Sequence, residues 1–155
     1  MEPPKVPTKT HVHVLEGDTF TVAQSILRRS NLLGPQDDSI SNLTPAKVAV
    51  LNMASEKHPG GGWLSGALAQ EEALCFRSTL ASTLKDEYYP LQSLSAIYSH
   101  AVAVFRSELA EDCQMYEDDQ RFVVGVVSVA GLRHPKLTQD KTDYGRLLRY
   151  CKFKT

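Results

Sequence analysis

The stretch AKVAVLNMASEKHPGGGWLSGALAQEEALCFRSTL, residues 46–80, decides the fold of this chain. It begins with a nearly continuous apolar run, AKVAVLNMA, which predicts a strand buried on both faces of a sheet. Three glycines follow at 60–62, and from Ser65 or Gly66 apolar residues recur at three- and four-residue spacing as far as Lys85. That spacing predicts a helix of about five turns. A strand, a glycine loop and a helix therefore follow one another directly.

Outside this stretch the chain alternates between strand and helix patterns. HVHVLEGDTF, at 11–20, predicts a short strand that ends in a turn, and Asp18 or Thr19 can cap a helix through TVAQSILRR. Two β-branched runs, HAVAVFR at 100–106 and RFVVGVVSVA at 121–130, predict further strands. Strands interleaved with helices indicate an α/β domain with a largely parallel or mixed central sheet.

The connecting segments are polar. SNLLGPQDDSISNLTP, at 30–45, is rich in turn formers and is expected to be a loop. SELAEDCQMYEDDQ, at 107–120, is most simply a solvated acidic loop, with ion binding as the alternative. We expect residues 1–10 to form a flexible leader and residues 11–155 to form one domain.

Composition restricts the possible functions. The chain has 155 residues, 42% hydrophobic and 23% charged, which fits one soluble globular domain. Its formal net charge is −1, so no global field attracts nucleic acid or an anionic membrane. Three cysteines without CxxC spacing, and an N-terminus without the apolar core of a secretory signal, predict an intracellular protein of the cytoplasm or nucleus. No apolar run is long enough to cross a bilayer.

The glycine loop and the two glutamates after it suggest a ligand site. Glycines let a backbone approach a ligand closely, their N–H groups can form a donor nest, and a helix N-terminus adds a positive dipole end. An ordinary mobile loop is the alternative for the glycines, and simple helix capping is the alternative for Glu71 and Glu72. Consecutive helical residues project about 100° apart, so the two carboxylates should have different roles.

Two carboxylates in a partly desolvated cleft suit the cleavage of a glycosidic bond. That reaction needs an acid to protonate the leaving oxygen, and a second group to orient sugar hydroxyls or activate water. Neighbouring carboxylates can also raise the pKa of one member of the pair, which keeps it protonated near neutral pH.

The residues NMASEKHPGGGWLSGALAQEEALCFRSTL, at 52–80, followed by YYP at 88–90, resemble the signature of the bacterial-type poly(ADP-ribose) glycohydrolases, a branch of the macrodomain superfamily. The specific feature is the combination of GGG and QEE, and the similarity extends from about VHVLEGDTF to VVSVAG. The resemblance implies a three-layer α/β/α macrodomain with a mixed sheet. It implies an enzyme that hydrolyses the ribose–ribose O-glycosidic bonds of poly(ADP-ribose) and releases ADP-ribose, with no cofactor and no metal.

The resemblance also implies roles for individual residues. Glu72 would be the catalytic acid and then the base, and Glu71 would hold ribose hydroxyls. Asn52 would position the ribose, Gly60, Gly61 and Gly62 would lie against the ribose and diphosphate, and Gln70 would support the pair. The expected partners are ADP-ribose and poly(ADP-ribose) on modified proteins. We expect a monomer, with no membrane and no sequence-specific nucleic acid as partners.

One departure from the family pattern leaves other functions open. Family members continue with a further strand and a second glycine-rich loop of the type GAFGCG, which this sequence lacks. Arg133, His134 and Pro135 stand where the family tends to show an apolar-proline-asparagine stretch. We therefore expect the domain to be incomplete at its C-terminal end. The alternatives to an active enzyme are an ADP-ribose-binding module without turnover and an inactive fragment of a longer glycohydrolase.

Other residues with reactive or aromatic side chains are expected to have structural rather than catalytic roles, with Trp63 left open. His58, in the glycine loop, is expected to be incidental, and Cys75 is expected to be a buried packing residue rather than a nucleophile. Tyr88 and Tyr89 could stack on an adenine, but are expected to anchor the end of the helix. Trp63 could line the ribose site or pack the loop.

Overall fold

The computed structural model describes residues 12–29, 48–92 and 95–131. The leader at 1–10, the loop predicted at 30–45 and the region after Gly131 lie outside the described residues. Three strands form one sheet in the order β1-β3-β2. The strands are β1 Ala49–Ala54, β2 Ala96–Val104 and β3 Phe122–Ala130, and the helices are α1 Thr19–Arg29, α2 Gln70–Arg77 and α3 Leu80–Thr83. Short 3-10 helices occur at Trp63–Ser65, Asp86–Tyr88, Leu109–Glu111 and Asp118–Gln120.

The sheet is mixed. β1 and β3 run parallel, with Asn52 opposite Ser128, whereas β2 and β3 run antiparallel. The ladder between β2 and β3 is irregular between Ser99 and Val102. The prediction of an α/β fold with a mixed sheet is therefore confirmed.

The hydrophobic core lies between the helices and one face of the sheet. All three helices contribute buried side chains to it, and the rings of Phe20 and Phe122 meet edge to face at 6.4 Å. The core is built from Phe20, Ala23, Leu27, Val50, Leu74, Cys75, Leu80, Leu84, Val102, Val104, Phe122, Val124 and Val126.

The prediction that β1 is buried on both faces is wrong. Successive strand residues point to opposite faces, and in β1 only Val50, Asn52 and Ala54 are buried. Leu51 and Met53, on the other face, are 55% and 61% exposed. None of the described residues covers that face at these two positions.

The prediction of one continuous helix from about 66 to 85 is also wrong. Gly66 has the left-handed φ of +84° and ends a 3-10 turn, so α2 begins only at Gln70. Ser78 is extended, with φ −148° and ψ 177°, and forms a bridge to Val104. Pairing with the edge of β2 therefore separates α2 from α3.

The N-terminal segment is only partly as predicted. Residues 12–16 form no strand, and Val12 and Val14 are 84% and 95% exposed, because no described strand pairs with them. The predicted cap of α1 is confirmed: Asp18 Oδ1 accepts hydrogen bonds from the backbone N–H groups of Phe20 at 2.9 Å and Thr21 at 3.1 Å.

Candidate active site

The candidate site lies where β1 ends and α2 begins. The chain leaves β1 at Ala54 and returns to α2 at Gln70 through the glycine loop, residues 55–69. At the start of this loop, Ser55 Oγ accepts hydrogen bonds from the N–H groups of Lys57 and His58, each at 3.2 Å. The serine therefore turns the chain back towards the helix.

Glu71 is a buried carboxyl group with donors on both oxygens. The residue is only 3% exposed. Oε2 accepts from the Ser55 backbone N–H at 2.7 Å, and Oε1 accepts a longer bond from Asn52 Nδ2 at 3.4 Å. Burial raises the pKa of Glu71, the two donors oppose this rise, and the nearby charge of Glu72 adds to it.

Glu72 lies beside Glu71 in the first turn of α2 and is 7% exposed. Its Oε1 accepts a hydrogen bond from the Gly62 backbone N–H at 2.8 Å. Hydrogen bonds from the described residues reach Glu72 at this oxygen alone. The other oxygen, Oε2, is therefore not engaged by the part of the chain that is described.

The glycine loop rests directly on these carboxylates. Gly61 has a φ of +60°, and a Cβ at this position would lie 2.4 Å from Glu72 Oε1 and 3.0 Å from Glu71 Oε2. A real Cβ does not approach an oxygen so closely, so a side chain at 61 would displace the pair. Gly60 has a φ of +69°, and its Cβ would lie 2.6 Å from Trp63 Cδ1.

A cleft of about 320 Å³ opens beside the two carboxylates. Of the residues predicted from the sequence, Gly61, Gly62, Glu71 and Glu72 line it, together with Met53, Ala54, Ser55, Ala69 and Gly131. The other three predicted residues, Asn52, Gly60 and Gln70, are not part of its lining. Asn52 reaches the site through its hydrogen bond to Glu71, whereas Gln70 bonds to the backbone of β1.

Asn52 touches the pair through its side-chain amide. It is fully buried, and its Nδ2 donates to Glu71 Oε1 and, at 3.0 Å, to Ser128 Oγ. Its Oδ1 is buried and has no hydrogen-bond partner among the described residues. Asn52 therefore joins β1 and β3 to the first turn of α2.

Gln70 fixes the start of α2 to the edge of β1 that faces away from β3. Its Oε1 accepts from the Met53 backbone N–H at 2.8 Å, and its Nε2 donates to the Leu51 carbonyl at 2.7 Å. A primary amide thus satisfies the groups that a neighbouring strand would otherwise pair. This contact sets the position of the first turn and therefore of both glutamates.

Two residues of the site were missed by the sequence reasoning. Ser55 supplies its backbone N–H to Glu71, and Ser128 supplies the acceptor for Asn52. Ser55 stands next to a predicted strand end, which is a weak signal. Ser128 lies within a predicted valine-rich strand, and only the register of β1 against β3 shows that it faces Asn52.

The remaining candidates take structural roles. Burial, and then the charges of Glu71 and Glu72, raise the pKa of Cys75 to about 12, which keeps the group a thiol and supports the packing interpretation. Trp63 meets Phe76 edge to face at 6.0 Å and packs against the core. Tyr89 packs against the core as well, and burial raises its pKa to about 12.

A larger cleft, of about 900 Å³, lies between β2 and the segment that follows α3. Tyr88 and Tyr98 line it, but neither glutamate of the pair does. Among the described residues, no three His, Cys, Asp or Glu side chains cluster so as to hold a metal ion. Within the same residues, no helix has the length and apolar character needed to cross a membrane.

The fold and site define an α/β protein with a buried two-carboxylate site under a glycine loop. A family model described as microbial-type PARG, catalytic domain, matches residues 1–107, where PARG stands for poly(ADP-ribose) glycohydrolase. The chain belongs to this family. A comparison with curated proteins found no match.

Solved structures agree with the family. The poly(ADP-ribose) glycohydrolase of Thermomonospora curvata, bound to the inhibitor ADP-HPD, is 32% identical over 85% of this chain and 48% of its own, with a TM-score of 0.59. The poly(ADP-ribose) glycohydrolase of Deinococcus radiodurans, in complex with ADP-ribose, is 30% identical over 73% of this chain and 42% of its own, with a TM-score of 0.50. The chain thus spans about half the length of these relatives.

Proposed function

We propose that this chain hydrolyses the ribose–ribose O-glycosidic bonds of poly(ADP-ribose) and releases ADP-ribose. The observation that carries the proposal is the buried pair Glu71 and Glu72, which backbone N–H groups hold beside a cleft of about 320 Å³. Family membership supplies the substrate class. In this proposal residues 11–155 are the catalytic domain, working as a monomer inside the cell on ADP-ribose polymers of modified proteins.

The hydrogen bonds suggest how the two glutamates divide the reaction. Glu72 has an oxygen that no described residue engages, and it lines the cleft, so it can donate a proton to the leaving oxygen and then activate water. Glu71 has protein donors on both oxygens, so its carboxyl group is fixed in orientation. A fixed acceptor suits the binding of ribose hydroxyls.

The glycines and amides complete the proposed site. Gly61 and Gly62 would lie against the ribose and the diphosphate, with Gly60 shaping the turn before them. Gln70 would hold α2 in place rather than touch the substrate. Asn52, which is fully buried and outside the lining of the cleft, would position the ribose indirectly, by holding the carboxyl group of Glu71 through its amide.

The first experiment is direct. The purified chain is incubated with an automodified protein that carries poly(ADP-ribose), and free ADP-ribose is measured over time. We expect release by the unmodified chain and a fall of at least about 100-fold in Glu72→Gln. Glu111→Gln, an exposed glutamate of the acidic loop, is the matched control and should leave the rate unchanged.

A second measurement separates the alternatives. Calorimetric titration with ADP-ribose should show binding by both the unmodified chain and Glu72→Gln. Binding without any release of ADP-ribose from polymer would instead support a binding module. Neither release nor binding would contradict both functions.

A further inference from the structure

Ser128 stands at the end of a buried chain of side chains that leads to the carboxylate pair. In the parallel ladder Asn52 is the register partner of Ser128, so the two side chains lie next to each other on the same face of the sheet. Both residues are fully buried. Across that face lies the first turn of α2, which carries Glu71.

The chain of hydrogen bonds uses both hydrogens of the Asn52 amide. A side-chain NH₂ group has two N–H donors. One donates to Ser128 Oγ at 3.0 Å, and the other points to Glu71 Oε1 at 3.4 Å. The ionised carboxylate can only accept, so the amide presents its nitrogen, and not its oxygen, to both partners, and Ser128 holds that nitrogen in place.

The presence of a hydroxyl at this position needs an explanation. β3 reads FVVGVVSVA, and a fully buried hydroxyl in such a strand is unfavourable unless it forms hydrogen bonds. The one side-chain hydrogen bond of Ser128 in the described part of the protein is accepted from Asn52 Nδ2. The hydroxyl therefore holds the Asn52 amide, and the amide in turn contacts Glu71.

We propose that Ser128 is a positioning residue that orients the carboxyl group of Glu71 through Asn52. This inference rests on the function proposed above for the carboxylate pair. Without the Ser128 hydroxyl, one N–H of Asn52 loses its acceptor in a buried place. The amide then keeps only the longer contact of 3.4 Å to Glu71 Oε1, so its N–H is less firmly held beside the carboxylate and stabilises the ionised form less.

The test compares two buried serines. Ser128→Ala removes the hydroxyl next to Asn52, whereas Ser99→Ala removes one on β2 that bonds to Thr83 Oγ1 at 2.6 Å, away from the pair. The first readout is the titration of the Glu71 carboxyl group by carbon NMR, with Glu71→Gln to assign the signal. We expect its midpoint to rise in Ser128→Ala and to stay unchanged in Ser99→Ala. Glu72, Cys75 and Tyr89, the other groups that act on Glu71 or respond to it, are the same in both variants.

The second readout is the kinetics of ADP-ribose release. Misplacing a reacting group by about 1 Å can lower activity by about 100-fold, so removing a group that only helps to orient one should lower it by about 10-fold. We expect this loss in kcat for Ser128→Ala, with KM changed less than about twofold, since an effect confined to the orientation of the reacting groups leaves ground-state binding intact. Ser99→Ala should keep both constants.

A double-mutant cycle tests whether Ser128 acts through Asn52. In an Asn52→Ala background, Ser128→Ala should shift the Glu71 midpoint no further. An equal shift with and without Asn52 would overturn the inference. Ser128→Cys keeps the shape of the side chain, with a somewhat larger atom that is a poor acceptor, and should act like the alanine variant. The test therefore does not depend on the folding of one variant alone.

The outcomes distinguish this inference from the proposed function. If the unmodified chain releases no ADP-ribose but Ser128→Ala and Ser128→Cys raise the Glu71 midpoint, the positioning role holds and the hydrolytic function fails. If the chain hydrolyses polymer and neither variant changes the midpoint or kcat, the function holds and the positioning role is wrong.

Discussion

Gly61 is the residue at which backbone conformation and chemistry depend on each other most directly. Its left-handed φ of +60° and the 2.4 Å from its missing Cβ to Glu72 Oε1 are two separate reasons for glycine. The same tight approach allows the next N–H, that of Gly62, to donate to Glu72 at 2.8 Å. The glycine loop is therefore part of the support of the carboxylates as well as a possible cradle for a ligand.

The first prediction concerns Gly61→Ala. The added methyl group must displace Glu72, so we expect hydrolysis of poly(ADP-ribose) to fall by about 100-fold or more, as for other misplaced catalytic groups. Gly66→Ala is the matched control, because Gly66 also has a positive φ, +84°, but its Cβ would meet nothing within 4 Å. It should lose about 1 kcal/mol of stability from the left-handed backbone conformation and keep its activity. Equal activity of the two variants would contradict the steric argument.

The second prediction concerns the protonation of Glu71. Burial raises its pKa in the folded state, so the folded protein holds this proton at a higher pH than the unfolded chain does. Above the folded pKa the ionised, buried carboxylate lowers the stability, and this penalty is relieved as pH falls through the folded pKa. The stability of Glu71→Gln relative to the unmodified chain should therefore be greatest near pH 8 and decrease towards pH 4. Thermal unfolding of both proteins across this range provides the measurement, and a constant difference would show that Glu71 has an ordinary pKa.

The sequence predicted that the glycines and the glutamates lie close together, but it did not predict the individual hydrogen bonds. Glu71, Glu72, Gly61 and Gly62 line one cleft, in line with the spacing of GGG and QEE. The spacing could not show that the side-chain amide of Gln70 forms its hydrogen bonds with the backbone of β1. That contact depends on where the helix begins relative to the edge of β1 that faces away from β3, which is a tertiary property.

Among the elements, α1 and α2 are joined by a charge pair at their ends. Asp18 caps α1 and also pairs with Arg77, the last residue of α2, whose side chain is fully buried. Arg77 lies over the Phe20 ring at 5.4 Å and donates through Nε to the Arg106 carbonyl at 3.3 Å. The Asp18 carboxylate thus caps the start of α1 and neutralises the charge of Arg77 at the end of α2.

The third prediction is that Asp18→Asn destabilises the fold. Asparagine is as good an N-cap as aspartate, so the change isolates the loss of charge beside a buried guanidinium. We expect a loss on the order of 2 kcal/mol, below the value for a fully buried pair, because the Asp18 side chain is 24% exposed. Asp118→Asn is the matched control, since the Asp118–Arg121 pair at 2.7 Å has side chains that are 89% and 45% exposed. That change should cost less than about 1 kcal/mol in urea unfolding.

The same pair predicts a pH dependence of opposite sign to that of Glu71. Burial opposes ionisation of Asp18, but the hydrogen bond and charge of Arg77 and the N–H donors of α1 outweigh it, so its pKa is lowered. A lowered folded-state pKa gives stability that is present above the ordinary aspartate pKa and is lost as pH falls through the folded value. The gap between the unmodified chain and Asp18→Asn should be complete at pH 7 and close below about pH 4.

The helices also show where periodicity alone misleads. Apolar residues recur at helical spacing from Leu68 to Leu84, yet Ser78 leaves the helix to bridge Val104 on the edge of β2. Its hydroxyl donates to the Leu74 carbonyl at 2.7 Å and accepts from the Leu80 N–H at 3.1 Å, which stabilises the break. The sheet edge that competes with the helix is not visible in the local pattern.

The molecule as a whole has a sheet with unequal faces in its described part. One face packs against the helices, whereas Leu51, Met53 and Tyr98 are more than half exposed on the other, at 55%, 61% and 61%. The apolar run of β1 predicted a strand and predicted it correctly. It could not distinguish a strand covered on both faces from one covered on a single face, because both are compatible with apolar residues throughout.

The fourth prediction tests this asymmetry. Val50→Ala, on the covered face at 5% exposure, should cost about 2 kcal/mol through lost burial and the cavity that remains. Leu51→Thr, one residue further along on the opposite face, should change stability by no more than about 0.5 kcal/mol. Urea unfolding of both variants provides the comparison. A large loss for Leu51→Thr would mean that this face is covered in solution.

The Gln70 amide has a consequence for how the sheet can grow. Val48 and Ala54 accept hydrogen bonds from the N–H groups of Gly125 and Gly131, on the β3 side. The alternation of strand groups then directs the Leu51 carbonyl and the Met53 N–H away from β3, to the edge where Gln70 binds them. A further strand in register along this edge would compete with the side chain for the same two groups. Growth of the sheet at these two groups and anchoring of the helix that bears the glutamates are therefore competing uses of one strand edge.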